Sequence, residues 1–105
     1  MKAMNINEAK GWFEVLQTSE RSQTAVMTLA PGKSSGEKAE AHEESDQVLL
    51  ILEGELTGEL GGEHLSLKKG DVIMVPSGVK HRFTNRMQTR AVTFNVYSPR
   101  AYPTG

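Results

Sequence analysis

Cysteine is absent from the 105 residues, which excludes disulfide staples, thiolate metal ligands and cysteine nucleophiles together. Any metal must therefore be held by nitrogen and oxygen. Long apolar runs are missing as well: none approaches the roughly 20 residues that a bilayer-spanning helix needs, and residues 1–10 contain no apolar stretch of signal-peptide length. A cytoplasmic location is the expectation. Neither sign of charge dominates, since 12 Lys and Arg stand against 13 Asp and Glu for a net charge of -1. That balance gives no electrostatic reason to attract phosphate backbones or anionic lipid, so nucleic acid and membrane are not expected partners. Helical periodicity is also lacking: no window keeps an apolar repeat of 3.6, and helix is expected at most as a turn near residues 6–10.

What is present reads as strand. Residues 13–17, 24–29, 47–52, 55–60, 64–67, 72–75, 81–85 and 90–97 are short runs with β-branched, aromatic or aliphatic content, and Gly, Pro, Ser or Asn punctuates the gaps. Gly61-Gly62 suits a two-residue hairpin, whose primed turns need positive φ. Lys69-Gly70-Asp71 and Pro76-Ser77-Gly78 bracket the run 72–75. Residues 31–41 form a Gly-, Ser-, Lys- and Glu-rich loop leading to a strand near Glu40. The length suits one domain, and many short strands with glycine-rich turns imply an all-β sandwich or jelly-roll barrel. Residues 1–11 read as a polar N-terminal arm, with the β domain over 12–105. Val48 to Leu52, Met27, Leu29, Met74, Phe83, Val92, Phe94 and Val96 are the expected core.

The strongest local pattern runs Gly70, five residues, Pro76, one residue, Gly78, two residues, His81, three residues, Asn85. Gly70 permits a tight turn, Pro76 and Gly78 make a sharp reversal, and the chain returns at His81. If His81 points inward, Phe83 does too, because strand side chains alternate with a period of two. Asn85 would then end the strand in a turn.

This run resembles the second motif of the cupin superfamily, Gly-x5-Pro-x-Gly-x2-His-x3-Asn, at every fixed position. The first cupin motif, Gly-x5-His-x-His-x3 or 4-Glu-x6-Gly, is matched in part. With Gly54 as its last glycine, Gln47 falls where the family has Glu, His42 where it has the second His, and Glu40 where it has the first. The rival register, with His42 and Glu44 as the pair, needs a ligand at Val48 or Leu49, and neither can coordinate. The resemblance implies a double-stranded β-helix, a jelly-roll barrel with one divalent metal ion inside. It implies Glu40, His42, Gln47 and His81 as ligands, where the family has three His and one Glu. An amide oxygen is a weaker ligand than a carboxylate, so Gln47 either ligates or only orients a water or substrate. In the second case two His and one carboxylate remain, the set used by non-haem iron(II) oxygenases; with all four bound, Fe, Mn, Zn, Ni and Co suit equally.

Three functions follow as alternatives. One is a metal-dependent enzyme on a small organic molecule, a dioxygenase or an isomerase or lyase using the metal as Lewis acid. Another is a non-catalytic small-molecule or metal-ion binding module, since one fold hosts many tasks. The third is a structural domain with an empty barrel. Cupins of this size commonly dimerise, so the resemblance also implies a homodimer, with the arm at Trp12 and Phe13 free to cover a neighbour's sheet edge. Tyr97 and Tyr102 are expected at the barrel mouth or in a dimer contact. His64 reads as a surface residue, and 37–44 also reads as an acidic solvated loop.

Overall fold

The computed structural model describes residues 2–103; the outermost ends of the expected arm and domain, residues 1, 104 and 105, lie outside the described residues. Eight strands follow in order: β1 (Phe13–Thr18), β2 (Gln23–Leu29), β3 (Asp46–Glu53), β4 (Glu55–Leu60), β5 (Glu63–Lys68), β6 (Val72–Val75), β7 (His81–Thr84) and β8 (Ala91–Ser98). They form two antiparallel sheets, β1-β2-β8-β3-β6 and β5-β4-β7, as a jelly roll requires. Ahead of them lies one 3-10 turn, Ile6–Glu8, capped by the Asn5 side chain, which accepts from the Asn7 amide at 2.9 Å. Among the described residues no helix is long and apolar enough to cross a membrane.

The turns explain the register. Gly61 and Gly62 have φ of 53° and 88°, values open to glycine but strained for other residues, and they close the β4–β5 hairpin with Leu60 opposite Glu63. Side chains on the facing sides of the sheets form the core: Met27, Leu29, Leu49, Ile51, Leu56 and Phe83 are among its fully packed members. Burying such side chains contributes about 1.5–3 kcal/mol each relative to exposure.

Three strands depart from the expected core. Met74 is not buried but 57 % exposed, because β6 pairs with β3 so that Met74 lies opposite Val48, while Ile73 opposite Leu49 and Val75 opposite Gln47 take the inward places. Val48, Leu50 and Leu52, and with them Val92, Phe94 and Val96, lie half-buried on the outer face of the large sheet. The inward face of β8 instead carries Ala91, Thr93, Asn95 and Tyr97, all buried. Strand β8 is therefore apolar outward and partly polar inward, the reverse of the usual one-sided pattern, whereas β3 is apolar on both faces with Gln47 as the polar residue of its inner one.

Gly54 shows why a glycine stands between β3 and β4. Its φ is 79°, and a Cβ there would overlap the Arg90 carbonyl oxygen and crowd the Ala91 Cα. Gly62 also has positive φ, yet a Cβ there would meet nothing. Gly62→Ala is expected to cost ~1–3 kcal/mol of conformational strain, and Gly54→Ala more than that because the backbone of β8 must also move. Urea titrations of the two variants check this; equal losses would show that the close approach is harmless.

Candidate functional site

The two motifs meet through backbone hydrogen bonds. The Gly78 amide donates to the His42 carbonyl at 2.8 Å, and the Glu40 and His81 backbones exchange a pair of bonds at 3.1 and 2.9 Å. The Ser77 amide donates to the Asp46 carboxylate at 2.9 Å. The turn Pro76–Gly78, whose glycine has φ of 80°, thus fastens both ends of the polar link that carries His42. Instead of a full strand at Glu40, only this isolated bridge to His81 forms. Directly opposed residues of an antiparallel pair share a face, which brings Glu40 and His81 to the same wall.

Glu40, His42, Gln47 and His81 all line one cavity of about 340 Å³, and Met27, Phe83, Tyr97 and Tyr102 complete its interior wall. The imidazoles of His42 and His81 lie 5.1 Å apart between ring centroids. His81 Nδ1 sits 3.0 Å from the Val79 carbonyl oxygen. A carbonyl only accepts, so Nδ1 carries the proton and the Nε2 lone pair is left free, the arrangement that orients metal-bound histidines. Glu40 is exposed at the cavity mouth.

Gln47 is only 3 % exposed, and its orientation is set from a distance. The Thr93 hydroxyl donates to the Met27 carbonyl at 3.1 Å, Asn95 Nδ2 donates to Thr93 Oγ1 at 2.9 Å, and Gln47 Nε2 donates to Asn95 Oδ1 at 2.9 Å. Because the relay ends on a main-chain acceptor, every donor in it points the same way. Gln47 Oε1 is what remains, a buried oxygen with no hydrogen-bond partner in the protein. Such an atom costs about 1–3 kcal/mol unless a ligand satisfies it.

These atoms test the expected metal. Among the described residues, no three of His, Cys, Asp and Glu converge closely enough to hold an ion on their own, so Glu40, His42 and His81 do not form a closed triad. Two imidazoles and the unpaired Gln47 Oε1 nevertheless supply nitrogen and oxygen donors on one cavity, with Glu40 at its rim. That donor set fits a first-row divalent ion. Burial, and secondarily the neighbouring His81 imidazole, holds the His42 pKa below the usual imidazole range, which keeps its lone pair available. Burial first, and then the neighbouring Tyr102, pushes the Tyr97 pKa upward, so its hydroxyl stays protonated.

Three residues that shape the site, Thr93, Asn95 and Gln23, were not singled out in the sequence. Thr93 and Asn95 were hidden within an apolar strand; their signal was two polar residues at alternate positions between Val92, Phe94 and Val96. Gln23, 1 % exposed, accepts from the Ala101 and Tyr102 amides at 3.1 and 2.9 Å and donates to the Tyr102 carbonyl at 3.0 Å. It ties the C-terminal segment across the cavity and so places the Tyr102 ring 5.6 Å from His42. Asn85 organises the turn after β7: its amide nitrogen donates to the Leu29 and Thr89 carbonyls, and its oxygen accepts from the Met87 amide. His64 is exposed on β5, away from this cavity.

Comparison with known proteins agrees with this architecture. Residues 25–97 match the cupin domain family. The tetracenomycin polyketide synthase protein TcmJ of Streptomyces glaucescens is 36 % identical over 73 residues, covering 70 % of this chain and 48 % of that protein. Quercetin 2,3-dioxygenase of Bacillus subtilis is 31 % identical over 74 residues, covering 68 % of this chain and 21 % of that protein. The chain thus spans about half of the first relative and a fifth of the second. Among solved structures, BH2720 of Bacillus halodurans superposes with a TM-score of 0.88 at 22 % identity, covering 99 % of this chain and 85 % of the other. A predicted oxalate decarboxylase of Thermotoga maritima superposes with a TM-score of 0.76 at 28 % identity, covering 84 % and 79 %. With its second motif complete, its jelly roll in place and the family matched over most of its length, the chain belongs to the cupins.

Proposed function

We propose that this cupin holds one divalent metal ion in its barrel and binds, or acts on, a small organic molecule there. The observation that carries the reading is Gln47 Oε1: a buried acceptor without a partner, fixed by a relay that leaves it no alternative, on the same cavity as two imidazoles. His42, His81 and Gln47 would hold the ion, with Glu40 as the carboxylate at the rim; Fe, Mn, Zn, Ni and Co all accept such donors. When bound, the ion supplies Lewis acidity, or in the case of iron access to oxygen chemistry. The chain's own residues do the rest. Val79 fixes the His81 tautomer, Asn95 aims Gln47, and the buried rings of Phe83 and Tyr97 exclude water from the inner wall.

An oxygenase-like or isomerase- or lyase-like reaction is the enzymatic form of this reading, and similarity to a protein named quercetin 2,3-dioxygenase supports the first. The non-catalytic form, binding without turnover, is favoured by one feature: a neutral amide stands where the family places a glutamate. Turnover of a bound molecule separates the two.

Elemental analysis of the purified protein is expected to find about one metal per chain, absent from His81→Ala. Unchanged metal in that variant would sink the assignment. Asn95→Leu, which releases Gln47 while leaving both imidazoles, is expected to weaken metal affinity about 10–100-fold.

Metal removal also predicts a pH dependence. In the metal-free protein the folded state binds a proton at His42 less readily than the unfolded chain, whose value is the ordinary 6.5. As pH falls through 6.5 the unfolded chain is protonated first, so stability present above that pH is lost below it. Urea titrations about one pH unit on either side, with His42→Leu as the control that flattens the difference, check the sign.

A further inference from the structure

The chain has one Trp, two Tyr and three Phe, and five of these six rings, Trp12, Phe13, Phe83, Tyr97 and Tyr102, line the cavity that His42, Gln47 and His81 share. They are not scattered over its wall. Trp12 touches Phe13 at 5.7 Å between centroids, Phe13 touches Tyr102 at 4.9 Å, and Tyr102 touches His42 at 5.6 Å. From His42 the series continues to His81 at 5.1 Å and to Phe83 at 5.9 Å. A continuous file of rings runs from the surface, where Trp12 is 55 % exposed, to the buried base.

We propose that this cavity takes a planar, hydroxylated aromatic ligand of one or two rings, a phenol or catechol. The aromatic class rests on the ring lining alone; only the placement of the hydroxyls at the inner end rests on the metal-centre reading. Edge-to-face and offset contacts reward a flat π-system over a saturated ring of the same size. Size follows from the cavity of about 340 Å³, since a dry cavity of about 150 Å³ accommodates one benzene. The hydroxyl follows from the polar atoms at the base. In the metal-free protein Gln47 Oε1 and His81 Nε2 are both acceptors that welcome an O–H donor, and an ion held by these atoms would meet the hydroxyl oxygen instead.

The lone tryptophan at the mouth reports on entry. Titration of metal-free and zinc-loaded protein with catechol, 2,3-dihydroxynaphthalene and cyclohexane-1,2-diol, followed by Trp12 fluorescence and calorimetry, tests the class. Saturable binding of the aromatic diols is expected, about tenfold or more tighter than cyclohexane-1,2-diol. Tyr102→Leu, which removes a ring outside the core cluster, is expected to weaken dihydroxynaphthalene several-fold. Parity between the saturated and aromatic diols, or no saturable aromatic binding in either form, overturns the proposal. Ring-selective binding by a protein that takes up no metal would leave this proposal standing and remove the metal centre; metal uptake without ring selectivity does the reverse.

Discussion

A carbonyl on the main chain of β2 governs the most informative atom of this protein. Because the Met27 oxygen can only accept, the Thr93 hydroxyl must donate to it, Asn95 must donate to Thr93, and Gln47 must donate to Asn95. The relay crosses three adjacent strands of one sheet, β2, β8 and β3. Its polarity is therefore as rigid as the sheet register, and it ends in an acceptor facing the cavity. A buried polar network satisfied at every point but one concentrates the cost of incomplete pairing where a ligand can relieve it.

The second constraint is the turn at Gly78. Its amide holds the His42 carbonyl, so a glycine of one motif positions a histidine of the other, and the fold joins segments separated by more than thirty residues of chain. Gly54 acts similarly by letting the β3–β4 junction approach the start of β8. These glycines serve the site by permitting close backbone contact at positive φ, without presenting any chemistry of their own.

Strand β8 shows how both constraints shape the exterior. Its inward positions are given to the relay and to Tyr97, and the apolar residues between them face outward because a strand has only two faces. The polar cavity and the apolar outer face of β8 are thus two sides of the same alternation.

The strand succession, the hairpin glycines and the complete run from Gly70 to Asn85 were legible in the sequence, because they depend on local backbone preferences and on a period of two that one chain carries by itself. The register through Gly54 also indicated the four residues Glu40, His42, Gln47 and His81, which the structure places around one cavity. Which face of β3, β6 and β8 turns inward was decided only by tertiary pairing: apolar residues occupy both faces of β3, so alternation alone could not choose, and Met74 was misplaced in consequence. Tertiary structure alone also oriented the Gln47 amide, freed His81 Nε2, and brought Tyr102 over His42 by way of Gln23. Each depends on a hydrogen bond or packing contact between residues distant in sequence, and no local pattern encodes the direction of such a bond.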